Sequence, residues 1–145
     1  MPVLSSMRDY LVAQNLVRKP SVAGSNPPLW LEPKLGVPAP GEGNNPTEVG
    51  SDLVIGAYLT TGIAPGRYES WWRQPIVEVR FRGQTPQNIE ALELAISKVL
   101  IDKVDWTMAG LYVVEAEQFQ PLQRLGSDAQ GYEYSCAYVF QLYRP

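Results

Sequence analysis

The chain has no histidine and one cysteine in 145 residues. Without an imidazole to take the nucleophile's proton, Ser–His and Cys–His catalysis are excluded. Zinc sites of the Cys/His kind go with them. A lone thiol, Cys136, forms no internal disulfide, so the fold needs no oxidising compartment. It sits in a Tyr-rich strand pattern with no histidine to support a thiolate, and reads as a small buried side chain. Charge is scarce too. Asp, Glu, Lys and Arg make up 19%, where soluble domains carry about a quarter. The net charge is -3, which argues against wrapping nucleic acid, since that needs clustered Lys and Arg to neutralise phosphates. No apolar run approaches the roughly 20 residues that span a bilayer, so no membrane partner is expected. Met1 to Ser6 lacks the basic and apolar regions of a signal peptide, and synthesis in the cytosol is expected.

Hydrophobic residues are abundant, at 45%, with four Trp and eight Tyr. A chain of this length is one domain's worth and can bury a sizeable core, so 1–145 reads as a single domain. Aromatics in a low-charge chain fit a well-filled core or a surface covered by partners, and both readings stay open.

Residues 5–18 read as a helix, with Ser5 or Ser6 as cap, Leu4, Met7 and Leu11 along one stripe, Arg18 and Lys19 at the C-terminal end of the dipole, and Pro20 as the stop. Seven of the 13 prolines and five of the 12 glycines then fall between Pro20 and Asp52. Only Leu29-Trp30-Leu31 interrupts this stretch as a short strand, and 33–50 is an extended Pro/Gly-rich loop or arm. A strand over 52–61 and a loop over 62–73 follow. Residues 75–82 alternate cleanly: Val77, Val79 and Phe81 face one way, Glu78, Arg80 and Arg82 the other. Thr85 caps a helix with Pro86 at its first position. Ile89, Leu92, Ile96, Val99 and Leu100 form its buried stripe, Leu94 and Ala95 its shoulder, and Ser97 lies on its wet side. Strands over 111–120 and 131–143 close the chain, with 121–131 as the hairpin end. Tyr132, Tyr134, Cys136, Tyr138, Phe140 and Leu142 share the covered face. The fold class is α+β: a largely antiparallel sheet with the main amphipathic helix packed on one face and the long loop inserted.

Two groups of residues could carry function. Glu115 and Glu117 project from the same face of one strand. Paired carboxylates can serve as general acid and base or hold a hard cation. Nothing else in the sequence completes such a site, and an acidic strip on a wet face is the better reading. Gly41-Glu42-Gly43 lacks the helix start and lysine of a phosphate loop. No catalytic, cofactor-binding or metal-ligating residues are therefore assigned, and the chain is not expected to be an enzyme. The second group lies between Arg67 and Arg82. It gathers Arg67, Arg73, Arg80 and Arg82, half of the eight arginines, with Tyr68, Trp71, Trp72, Glu69 and Glu78. Arg and Trp dominate interface hot spots, so a subunit interface ranks first. Solvated charges around one core tryptophan rank second, and base stacking on single-stranded nucleic acid third.

The run Arg73-Gln74-Pro75-Ile76-Val77-Glu78-Val79-Arg80-Phe81-Arg82-Gly83, with the helix after it, resembles the tail terminator and minor capsid (head–tail joining) proteins of long-tailed bacteriophages. The likeness continues through Gly110-Leu111-Tyr112-Val113-Val114, through Phe119-Gln120-Pro121-Leu122-Gln123-Arg124-Leu125-Gly126, and into Gly131-Tyr132-Glu133-Tyr134. It covers about the C-terminal half and is a likeness of fold. It implies a small α+β subunit of a six-membered ring that caps the tail tube and joins it to the head connector. DNA would pass through the lumen without specific binding, and there would be no enzymatic activity. The implied partners are copies of the chain, the tail tube protein and connector or adaptor proteins, first in the host cytoplasm and then in the virion neck. A closed ring needs a heterologous interface. Arg67, Trp71, Trp72, Arg73, Glu78, Arg80 and Arg82 are its candidates, and Glu115 and Glu117 are candidates for the channel wall. Other readings are a different neck component, such as a head-completion or adaptor protein, a ligand- or nucleic-acid-binding α+β module, and an enzyme using Glu115 and Glu117.

Overall fold

The strand with the cleanest alternation lies near the middle of a six-stranded sheet. The computed structural model of the protein describes residues 3–33, 36–37, 53–63, 72–128 and 131–143, with backbone alone at 61–63, 72, 73 and 143. In chain order the elements are α1 (Val3–Ala13), β1 (Leu29–Leu31), β2 (Leu53–Ile63), β3 (Trp72–Gly83), α2 (Pro86–Ile101), β4 (Val104–Met108), β5 (Leu111–Asp128) and β6 (Gly131–Tyr143). The arrangement is α+β. The strand order is β1-β2-β3-β6-β5-β4. Four neighbouring pairs are antiparallel, but β1 joins β2 in parallel, so the sheet is mixed.

Register sets the faces. Ala57, Val79 and Cys136 stand side by side on β2, β3 and β6, as do Ile55, Phe81 and Tyr134 in the next row. Val77, Phe81, Cys136, Tyr138 and Phe140 are fully buried. The same buried cluster takes in Leu4, Met7, Tyr10 and Leu11 of α1 and Ile89, Ile96 and Leu100 of α2. Removing a side chain such as Phe81 from water is worth about 1.5–3 kcal/mol, so this cluster dominates the stabilisation. Ala137 and Val139 alternate with it on β6 and are also buried, forming a small second cluster with Ile76 on the opposite face. Gly131 opens β6 where a Cβ would stand 2.4 Å from the Gly83 carbonyl oxygen, and its φ is +128°. No other residue fits both conditions.

Local chemistry corrects several expectations. Helix α1 begins at Val3, so Ser5 and Ser6 lie inside it rather than capping it, and Ser6 is fully buried. It ends at Ala13, short of the expected residue 18 and of Pro20. Asn15 has φ +61°, its N–H donates to Val12 O, and Leu16 N–H donates to Leu11 O. That double bond pattern around a left-handed residue terminates a helix by itself. Arg18 and Lys19 therefore fall beyond the helix and do not serve its dipole. Arg18 instead joins the backbone of Pro27 and Leu29. At α2, Pro86 takes the first turn as expected, but the Thr85 hydroxyl makes no capping bond. The Thr85 carbonyl accepts from Asn88 and Ile89. Leu94 is exposed, while Ser97 is buried.

The C-terminal strands differ most. Strand β4 is an addition to the expected elements, although Val104, Trp106 and Met108 alternate with Asp105 and Thr107 along it. It folds back on β5 through Ala109 and Gly110, with Met108 opposite Leu111. Both turn residues have positive φ, which is the hairpin geometry that matches strand twist. β5 runs on through Pro121 to Asp128 instead of stopping at Gln120. Three of its register shifts lie between Gln118 and Gly126. Beyond Glu115, its pairs among the described residues are to β6 alone. Proline and bulges are tolerated on such an edge, and they blunt it. Of the 33–50 segment only residues 33, 36 and 37 are described.

Candidate interaction surface

Alternation on β3 turns Glu78, Arg80 and Arg82 away from the main core, and their neighbours on β2 and β6 complete a polar strip. Glu78 stands opposite Tyr58 on β2. Arg80 stands opposite Ser135 and Arg82 opposite Glu133 on β6. Arg80 Nε donates to Glu78 Oε1 at 2.6 Å, and its Nη1 lies 3.9 Å from Glu133 Oε1. Its guanidinium also lies 5.3 Å from the centre of the Tyr58 ring. The hydrogen bond to Glu78 raises the Arg80 pKa, so the guanidinium stays charged. Burial pushes the Tyr58 phenol up as well, against the pull of Arg80. Arg80 and Glu133 keep more than a third of their side chains in solvent, and pairs this exposed contribute only about 0–1 kcal/mol. They can exchange partners with a docking surface at little loss.

Arg82 is different. Its side chain is 20% exposed and its Nη2 donates to Asp128 Oδ2 at 2.8 Å. Its Nη1 donates to the Val37 carbonyl at 3.1 Å. This arginine is engaged inside the subunit.

Trp72 and Arg73 open β3, opposite Tyr143 and Leu142. Arg82 lies ten residues further along, about 30 Å away for an extended strand. The segment from 67 to 82 is thus not one compact patch. Arg67 and Trp71 lie outside the described residues, and so do the side chains of Trp72 and Arg73.

Glu115 and Glu117 flank Ala116, which is buried in the main core opposite Phe140. Both carboxylates therefore leave the sheet on the face shared with Glu78 and Arg80. Glu117 stands opposite Val139, which in turn stands opposite Ile76. The small apolar cluster of Ile76, Ala137 and Val139 thus separates the acidic pair from the arginine strip. Among the described residues no three Asp, Glu, Cys or His side chains gather in a metal-holding group. No helix there is long and apolar enough to cross a membrane.

Two polar clusters escaped the sequence reading. Beneath α2, the Ser97 hydroxyl meets the Tyr138 hydroxyl at 2.8 Å and Glu93 Oε1 at 3.1 Å, and Gln118 donates to the same carboxylate oxygen at 2.6 Å. Burial drives the Tyr138 phenol strongly upward and pushes the neighbouring Cys136 thiol up to about 12. That thiol stays protonated at neutral pH. The i, i+4 spacing of Glu93 and Ser97 was the available signal. The second cluster ties α1 to β4. The Lys103 ammonium donates to the Tyr10 hydroxyl and lies 5.0 Å from the centres of both the Tyr10 and Trp106 rings. No spacing rule joins residues so far apart in sequence.

No family model matches the chain, and no curated protein matches it.

Proposed function

We propose that the chain is a structural virion protein. It forms a ring, most simply a hexamer, at the head-proximal end of a phage tail, terminates the tail tube and joins it to the head connector. DNA passes through the lumen. The observation that carries this reading is the resemblance through residues 73–83 and the segments downstream. The quoted stretches fall on β3, then α2, then β5 and β6, with the short β4 between α2 and β5. In this reading α2 is the amphipathic helix on one sheet face, and 33–50 is the Pro/Gly-rich arm.

The polar chemistry supports contact over conversion. Arg80 pairs with both Glu78 and Glu133 on the sheet face opposite the main core, and the one thiol is buried and held protonated. An exposed, internally paired strip can trade its pairs for those of a neighbouring copy. Glu115 and Glu117 would then face the lumen and repel phosphate.

The test is direct. Purified protein should give annular particles in electron micrographs. Arg80→Glu should leave a folded chain that no longer closes rings. Protein that stays monomeric at every concentration, or rings untouched by Arg80→Glu, would overturn the assignment of this strip.

A further inference from the structure

After β1 the chain turns back over the outer face of the sheet. Glu32 adopts φ +45° and its N–H donates to Ala57 O at 2.8 Å. Its carboxylate accepts from Leu59 N–H at 3.3 Å. Both bonds hold the turn against β2. Gly36 follows at φ +85°, donating to Pro33 O. Val37 then rests on the sheet, only 4% exposed.

The floor under Val37 is cut to receive it. A Cβ on Gly56 would stand 2.8 Å from Val37 Cγ2, 3.3 Å from Tyr58 Cε2 and 3.4 Å from Pro33 Cγ. The glycine is therefore a seat, and its bare backbone lets two side chains settle on the strand. Val54 points to the same face as Gly56 and is 1% exposed. Arg82, opposite Val54 on β3, bonds the Val37 carbonyl. The same guanidinium reaches Asp128 at the far end of β5. One side chain thus joins the incoming segment to the tip of the β5–β6 hairpin.

We propose that Gly36 and Val37 form a locked strap on the outer sheet face. Gly56 is its seat and Arg82 is its lock. The strap withdraws Val54 and Arg82 from any partner approaching this face, and it fixes in cis the point from which the chain departs towards residue 38. Arg82 is a positioning residue. The device does not depend on ring assembly and is tested on the subunit itself.

The experiment uses Val37→Cys as reporter and the native Cys136, fully buried in the core, as the internal control for global unfolding. Each thiol is alkylated in time course and quantified separately by peptide mass spectrometry. With Arg82 in place, position 37 should label far more slowly than in denaturant. Adding Arg82→Met removes both donors at similar volume. Labelling at position 37 should then accelerate about tenfold or more, with Cys136 still protected, because a charge-assisted bond to a carbonyl no longer opposes local opening. Two results overturn the proposal: labelling at position 37 as fast as in denaturant with Arg82 present, or protection at position 37 unchanged by Arg82→Met. If Arg82→Met exposes both thiols together, Gly56→Ala decides. It should expose position 37 selectively by filling the seat, and intact protection there would sink the strap.

Discussion

The two faces of the sheet handle polarity in opposite ways. On the helix-bearing face, Glu93, Ser97, Gln118 and Tyr138 form a connected network, with the Ser97–Tyr138 bond fully buried. On the opposite face, Glu78, Arg80 and Glu133 pair in partial contact with water. At the Ser97–Tyr138 bond, a hydroxyl that loses its partner has no solvent to turn to, so the break is expensive. Outside, water replaces a lost partner at once and salt screens what remains. The inner network therefore specifies one packing, and the outer strip is free to be used by something else.

That contrast can be broken or sharpened by mutation. The largest effect belongs to the inner face itself. Phe81→Ala should cost about 3–5 kcal/mol, because Phe81 is fully buried and its removal leaves a cavity. A urea midpoint within error of wild type would deny Phe81 its place in the core. Next comes the hydroxyl pair. Ser97→Ala strands the Tyr138 hydroxyl and should cost about 1–3 kcal/mol. The double variant Ser97→Ala with Tyr138→Phe removes both partners and should recover part of that loss. Additive losses in denaturant melts would dissolve the network.

A smaller effect comes from Cys136. Its thiol is raised from 9.0 to about 12 by burial. The folded protein thus holds this proton more tightly than the unfolded chain. The associated stability is complete below pH 9.0 and is lost as pH rises towards the folded value. Cys136→Ala has no such titration. Wild type should lose stability relative to that variant above pH 9.0, and parallel pH profiles would contradict the burial-raised thiol. The smallest effect is on the outer face. Arg80→Gln should shift stability by no more than about 0.5 kcal/mol, while weakening any self-association of the strip. A loss of several kcal/mol would mean that Arg80, like Arg82, is structural.

Legibility in the sequence followed range. Strand β3 was readable because period-two alternation is a local property, and α2 because Ile89, Ile96 and Leu100 repeat at helical spacing beside a proline that fits only a first turn. Strand β4 carries the same alternation in Val104-Asp105-Trp106-Thr107-Met108, but over only five residues directly after α2, too short a run to stand out. The early end of α1 at Ala13 rests on one left-handed residue just beyond it, Asn15, for which asparagine is a permissive but not an obligatory choice. Arg82 was legible as an outward-facing cation. Its partners were not, because Val37 and Asp128 lie 45 and 46 residues away in sequence.

The amino-acid sequence alone determined the class of elements and the chemistry ruled out: helices and strands in their approximate order, no imidazole, no disulfide, and a charged outer row on β3. Patterning encodes which side of an element dislikes water, and that preference needs no knowledge of the rest of the chain. Only the tertiary structure decided which charges are available and which are engaged. Arg80 and Arg82 are two residues apart with the same side chain and the same facing. One remains open to exchange and the other holds Val37 in place, because a bond's partner is fixed by where distant chain comes to lie.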